Sequence, residues 1–174
     1  MTTAKRPWSV PVAIHEIPET GRQFHLVADE TTRADVAAMA GLRALPRLEA
    51  VFDVTRHGRD GLRVVGTVSA RVGQTCVVTL EPIEDDVDES IDLLFAPPNE
   101  KADADSELPP DAPEPLIGGM VDLGALAVEF LVLGIDPYPR KPGAIFDAPP
   151  AGDEGAHPFA ALAALKKRHG GTDA

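Results

Sequence analysis

The sequence predicts an α+β domain. The expected sheet is antiparallel and strongly twisted, with about five to six strands able to curl towards a barrel and two to three helices packed on it. Three observations carry this reading. Alternating apolar and polar residues run through most of Arg47 to Phe95, interrupted only by short turns, and turns that short join antiparallel neighbours. One strongly apolar helical stretch follows, from Val121 to Gly134. Between the two lies Pro97 to Pro115, built from Pro, Asp, Glu and Ala, with Leu108 its only large apolar residue. Such a segment buries too little surface to offset its ordering entropy and is expected to be a disordered loop.

The elements follow in order. Trp8 to Ile14 places Val10, Val12 and Ile14 on one side, and Pro11 marks an edge strand. Arg22 to Ala28 alternates again, with Phe24, Leu26 and Ala28 inward. Thr32 to Ala40 reads as a short helix with a Thr32–Asp35 capping pair, Gly41 at its C-terminal cap, and Val36, Met39 and Ala40 facing the core. Arg47 to His57 puts Leu48, Ala50, Phe52 and Val54 on one face, and His57 to Gly61 is a turn rich in residues that tolerate positive φ. Leu62 to Val72 is a strand that Gly73 is expected to break. Thr75 to Leu80 reads as a further strand with Cys76, Val78 and Leu80 on one side, and Val87 to Phe95 as the last. The sum is a meander of four long strands with one or two more from the N-terminus.

In the apolar helix, Asp122 suits the N-terminal cap, and Leu123, Leu126, Phe130 and Leu133 share a face with Ala127. Burying those four large side chains is worth roughly 1.5–3 kcal/mol each. Ordering a dozen residues costs about 1.5 kcal/mol apiece, so the helix must cover the sheet to exist. Gly134 ends it, and Pro137, Pro139 and Pro142 prevent a restart because each lacks the N–H that a helix needs. Asp147 to Ala156 reads as a flexible linker, and Pro158 to Arg168 as a short helix with Phe159, Leu162 and Leu165 on one face. The expected organisation is therefore residues 1–96 for the N-terminal strands, short helix and meander, 97–115 for the acidic loop, 116–146 for the helix and proline segment completing the same domain, and 147–174 for linker and C-terminal helix.

Charge is unevenly spread. The net charge is −12, yet residues 81–136 hold 16 acidic residues against one basic residue, Lys101. The rest of the chain is mildly basic. An acidic middle repels nucleic acid within a Debye length of about 8 Å, so a basic protein partner fits better than direct RNA binding. No run of about 18 apolar residues occurs and the first residues lack a secretory apolar core, so neither a membrane span nor export is expected. Cys76 is the single cysteine, which points to the cytoplasm.

Chemistry is hard to find in the chain. His15, His25, His57, His157 and His169 are not spaced with one another or with Cys76 as metal ligands. Glu84, Asp85, Asp86 and Asp88 do not follow a calcium-loop spacing. No nucleophile elbow, phosphate loop or dinucleotide fingerprint is present. The expectation is no catalytic residue, no metal, no cofactor and no enzymatic activity. A contact surface is a better prospect: Tyr138 stands beside Arg140 and Lys141 in a proline-stiffened segment, where an aromatic and two cations can stack and bind acidic groups. The competing role is internal, with Arg140 and Lys141 paired to Asp122, Glu129 or Asp136.

The run Gln74-Thr75-Cys76-Val77-Val78-Thr79-Leu80-Glu81-Pro82, the strand Val87 to Phe95, the acidic insert, the stretch Val121 to Phe146 and the closing Pro-Phe-Ala-Ala-Leu-Ala-Ala-Leu-Lys together resemble the YceD family, also called domain of unknown function 177. The Asp-Pro-Tyr-Pro-Arg-Lys-Pro-Gly segment is similar to its alphaproteobacterial branch. Many members carry Cys-x-Arg-Cys-Leu-x-Pro. Here Cys76, Leu80 and Pro82 match, but Val78 and Thr79 replace the arginine and second cysteine, so a thiol pair for zinc or redox work cannot exist. Asp122, Glu129 and Pro137 are the further family-motif positions. The resemblance implies a ribosome-biogenesis role in accumulation of large-subunit (23S) rRNA. The expected partner is a basic ribosomal protein, which the acidic insert would shield, an assembly factor or a pre-ribosomal particle, with pre-ribosomal RNA as an indirect partner. Two other readings compete: a general protein-interaction adaptor unrelated to ribosomes, and an enzyme assembled from carboxylates such as Glu129 and Asp136.

Overall fold

A computed structural model describes residues 6–98 and 112–146. The chain divides into two units, Met1–Pro142 and Gly143–Ala174, and every described helix and strand lies in the first. Besides two 3-10 turns at Ile14–Glu16 and Ile117–Gly119, these are in order β1 (Pro11–Ala13), β2 (Arg22–Val27), α1 (Glu30–Ala40), β3 (Ala44–His57), β4 (Gly61–Thr75), β5 (Pro82–Ala96), β6 (Glu114–Pro115), β7 (Met120–Asp122) and α2 (Leu123–Gly134). The α+β class is as expected.

Five strands form the main sheet in the order β2-β3-β4-β5-β6, and β1 pairs with β7 in a separate ribbon. Even-numbered residues turn inward from Leu48 to Val54 of β3 and from Leu62 to Val72 of β4, so Leu48, Ala50, Phe52, Val54, Leu62, Val64, Val68, Ala70 and Val72 are all buried. One register row crosses the sheet through Phe24, Phe52, Gly66 and Ile91. Gly66 is required there, because a Cβ would land on the Val51 carbonyl oxygen and 2.7 Å from Phe52 Cδ1. Helix α1 lies against β3, and α2 against β4 and β5, closing a single apolar core. The other face of the sheet carries Arg63, Thr67, Ser69 and Arg71 outward, as the alternation predicts.

Several expectations need correction. The sheet is mixed, because β6 runs parallel to β5 with Phe95 opposite Glu114. Pro113 and Pro115 lack the N–H for a longer ladder, which keeps β6 to two residues. The end of the expected acidic loop is thus a strand, whereas residues 99–111 lie outside the described residues. Among the described residues the sheet is open, with β2 and β6 at its two edges and no barrel closure. Trp8 to Ile14 contributes to the ribbon with β7 instead of the main sheet. Thr75 to Leu80 is not a strand: β4 runs through Gly73 to Thr75, and β5 already begins at Pro82, so three long strands replace four. The predicted linker 147–156 and helix 158–168 lie outside the described residues.

The helices shift in phase. α1 is capped by Asp29, whose carboxylate accepts the Thr32 N–H at 2.7 Å, instead of by a Thr32–Asp35 pair. The C-terminal cap is Gly41 at φ 67°, as expected. Val36 and Ala37 face the core, while Met39 is 54% exposed. In α2 the buried set is Leu123, Leu126, Ala127, Val128 and Leu131, with Phe130 half-buried and Leu133 outside. A helix apolar on nearly every side has no polar face to set its rotation. Close backbone approaches set it instead. A Cβ on Gly124 would sit 3.0 Å from the Val10 nitrogen, and one on Gly134 2.7 Å from Val87 Cγ1.

Candidate functional site

The segment Cys76 to Glu81 joins β4 to β5 as a tight connection. The Cys76 N–H donates to the Glu81 carbonyl and the Leu80 N–H to the Cys76 carbonyl, each at 2.9 Å. Closing this loop forces Leu80 to φ 59°, the only non-glycine residue at positive φ among the described residues. A γ-branched side chain is costly there and is held by the surrounding bonds. Its side chain is nonetheless 74% exposed. The protein therefore holds a strained backbone that displays leucine to solvent.

The proline segment after α2 docks on this turn. The Val77 N–H donates to the Pro139 carbonyl at 2.9 Å, and Pro139 is buried. The Gln74 side-chain amide donates to the Asp136 carbonyl at 2.9 Å, and the Asp136 carboxylate accepts the Tyr138 N–H at 2.8 Å. Lys141 binds twice: its N–H donates to Cys76 Sγ at 3.3 Å, and its ammonium meets the Glu81 carboxylate at 2.9 Å. The ion pair lowers Glu81 and raises Lys141, each mainly through that hydrogen bond. Internal pairing of Lys141 thus occurs, with Glu81 in place of Asp122, Glu129 or Asp136.

Cys76 is buried and lies at the centre of this junction. The Lys141 N–H, then the Thr79 side chain and N–H and that of Val78, pull its thiol down to about 6 against the burial that pushes it up. The Thr79 N–H lies 3.4 Å from Sγ. Cys76 thus acts as the acceptor that ties turn to proline segment. Among the described residues no group of three or more His, Cys, Asp or Glu is arranged to hold a metal ion.

What remains outward at the tip is Val77, Leu80, Tyr138 and Arg140. Tyr138 is 71% exposed, and Arg140 has no carboxylate partner among the described residues. Sequence reasoning named Tyr138, Arg140 and Lys141 but missed their union with Val77 and Leu80. Thr-Cys-Val-Val-Thr-Leu contains no Gly, Asn or Asp, so its turn is silent by composition. Pro82, where the ladder restarts, was the one available signal.

The remaining motif positions lie elsewhere in the domain. Asp122 caps α2 through the Ala125 N–H at 3.1 Å and also accepts from the Val10 N–H, the Ser9 hydroxyl and Arg6, at 2.7, 2.8 and 3.1 Å. Burial pushes its carboxyl up, but these four donors together hold it below the usual range. Its place is structural, stitching the N-terminal segment to α2. Glu129 stands at the rim of a groove between α2 and the N-terminal segment, near Arg6 and Trp8. Pro137 is exposed beside Asp136. Asp136 braces the loop at Tyr138, whereas Glu129 faces the groove, so the two carboxylates do not line one site.

The fold and this tip define a small α+β domain that presents an apolar and cationic knob on a hairpin end. The family model described as large ribosomal RNA subunit accumulation protein YceD matches residues 64–166, more than half of the chain. The chain belongs to the YceD family. No curated protein matches it, and no solved structure does. The matched residues include the whole Cys76–Lys141 junction. Family membership implicates the chain in accumulation of the large ribosomal RNA subunit. Among the described residues no helix is long and apolar enough to cross a membrane.

Proposed function

We propose that this chain is a non-catalytic ribosome-biogenesis factor that supports accumulation of 23S rRNA in the cytoplasm. It does so by binding a basic ribosomal protein, an assembly factor or a pre-ribosomal particle, with the tip formed by Val77, Leu80, Tyr138 and Arg140 contacting apolar and acidic groups of that partner. One observation carries the choice of surface: a residue in a costly backbone conformation, Leu80, exposes its side chain on the same knob as Tyr138 and Arg140. Tyrosine and arginine are among the residue types that most often dominate binding energy, and strained backbone clusters at functional sites. Lys141 contributes by fixing the knob through Glu81 and Cys76.

Sedimentation of cell extract on a sucrose gradient tests this reading. The protein is expected to comigrate with large-subunit precursors, and the Tyr138→Ala/Arg140→Ala variant to move to the top of the gradient with its melting temperature unchanged. Migration of the wild-type protein at the top under low salt would contradict it and favour an adaptor unrelated to ribosomes.

A further inference from the structure

On the side of β5 away from β4, the described residues supply only β6, which pairs at Phe95 and Ala96. The Leu116 N–H donates to the Ala96 carbonyl there, so Ala96 turns its backbone groups away from β4. The β4–β5 register is unbroken from Leu62–Phe95 to Thr75–Pro82. Alternation then directs the N–H and C=O groups of Glu84, Asp86, Asp88, Ser90, Asp92 and Leu94 to the same side. No backbone or side-chain partner among the described residues takes the backbone groups of Glu84 to Asp92 on that side. An edge of this length is a ready template for an added strand.

The charge of the edge selects the guest. β5 holds Glu84, Asp85, Asp86, Asp88, Glu89 and Asp92 and no Lys or Arg. Glu84 and Asp86 share Arg71, Asp92 pairs with Arg63, and Asp88 accepts from the Ser69 hydroxyl, so four carboxylates meet only two arginines on β4. Arg47 adds one long contact to Asp86 at 3.6 Å. The residues that offer backbone groups at the edge are the same ones whose side chains stand on the outer face. A strand laid beside them with a cation at every second position sets those cations against Glu84, Asp86, Asp88 and Asp92.

We infer that the β5 edge binds an extended basic protein segment, with Lys or Arg at alternate positions, as an additional strand of the sheet. This rests on the reading that the partner is a basic protein, and it adds where such a partner is gripped and by which sequence pattern.

The test uses the full chain and a labelled alternating Lys-Val peptide of about ten residues, enough to span Glu84 to Leu94. Hydrogen exchange is expected to slow at the amides of Asp86, Asp88, Ser90 and Asp92 when peptide is added. Ser90→Pro, which deletes one edge N–H, should weaken binding at least about tenfold. The same peptide N-methylated at alternate nitrogens should bind as weakly to the wild-type chain, which keeps the test valid if Ser90→Pro does not fold. Equal binding by the N-methylated peptide, or unchanged exchange at those amides, would overturn the proposal. So would single-stranded RNA slowing the same amides. Tyr138→Ala/Arg140→Ala should retain peptide binding while losing particle association, so that failure of the tip and failure of the edge read out separately.

Discussion

The backbone N–H of Lys141 donates to the Cys76 thiol at 3.3 Å across a sequence separation of 65 residues. This bond, with that of Val77 to Pro139, turns two remote motifs into one rigid tip. Together with the Gln74–Asp136 and Lys141–Glu81 contacts, these bonds fix the exposed tyrosine and arginine relative to Leu80.

The first consequence concerns pH. Hydrogen bonds from the Lys141 N–H and then from the Thr79 side chain and nearby N–H groups hold the Cys76 thiol at about 6 against an ordinary 9.0, a depressed value that favours the charged form when folded. Stability from this group is then fully present above the ordinary value and is lost as pH falls through about 6. Thiolate absorbance at 240 nm should titrate near that lower value in the native protein and return to the ordinary range in denaturant. Reaction with a disulfide reagent should still be slow in the native state, because the sulfur is buried.

Leu80 separates strain from contact. Leu80→Gly relieves the positive φ and should leave stability equal or raise it by about 0.5–1 kcal/mol. Association with particles should fall all the same, because the exposed side chain is gone. Denaturant melts and gradient sedimentation of the same variant check the two halves.

Asp122 behaves as a structural cap. Asp122→Ala removes an N-cap and leaves the Val10 N–H without its partner, and should cost on the order of 2–4 kcal/mol. Its carboxyl is held low, so its contribution is present above the unfolded value near 4 and is lost as pH falls further. Asp122→Asn should flatten the acid limb of the stability curve measured by urea melts.

Gly66 is the least replaceable residue of the sheet. Gly66→Ala drives a methyl into the Val51 carbonyl and the Phe52 ring, and should lower stability by about 3 kcal/mol or prevent folding. A melting temperature within a few degrees of wild type would mean that β3 and β4 can separate there.

Much of the fold was legible because alternation and turn chemistry agree over long stretches. Phe52, Val64 and Val68 fall inward as their spacing dictates, and Gly41 and Asp122 cap the helices they border. The Cys76–Glu81 turn was not legible, since its residues favour strands and the bonds that bend it come partly from Pro139 and Lys141, far along the chain. The rotation of α2 was lost for a similar reason: its apolar residues fit several faces, and glycine contacts with Val10 and Val87 decide among them. β6 was hidden by composition, as two prolines flanking Glu114 read as loop. Of the site, Tyr138 and Arg140 were visible as residue types, while their partnership with Leu80 required the tertiary structure.

Complementation of cells depleted of this protein tests the central claim most directly, with the ratio of mature 23S to 16S rRNA as the readout. Depletion should lower that ratio, and the wild-type chain should restore it. A Leu80→Ala/Tyr138→Ala/Arg140→Ala variant that melts like wild type should leave it low. Full restoration by that variant would contradict the assignment of the tip, and an unchanged ratio on depletion would contradict the function itself.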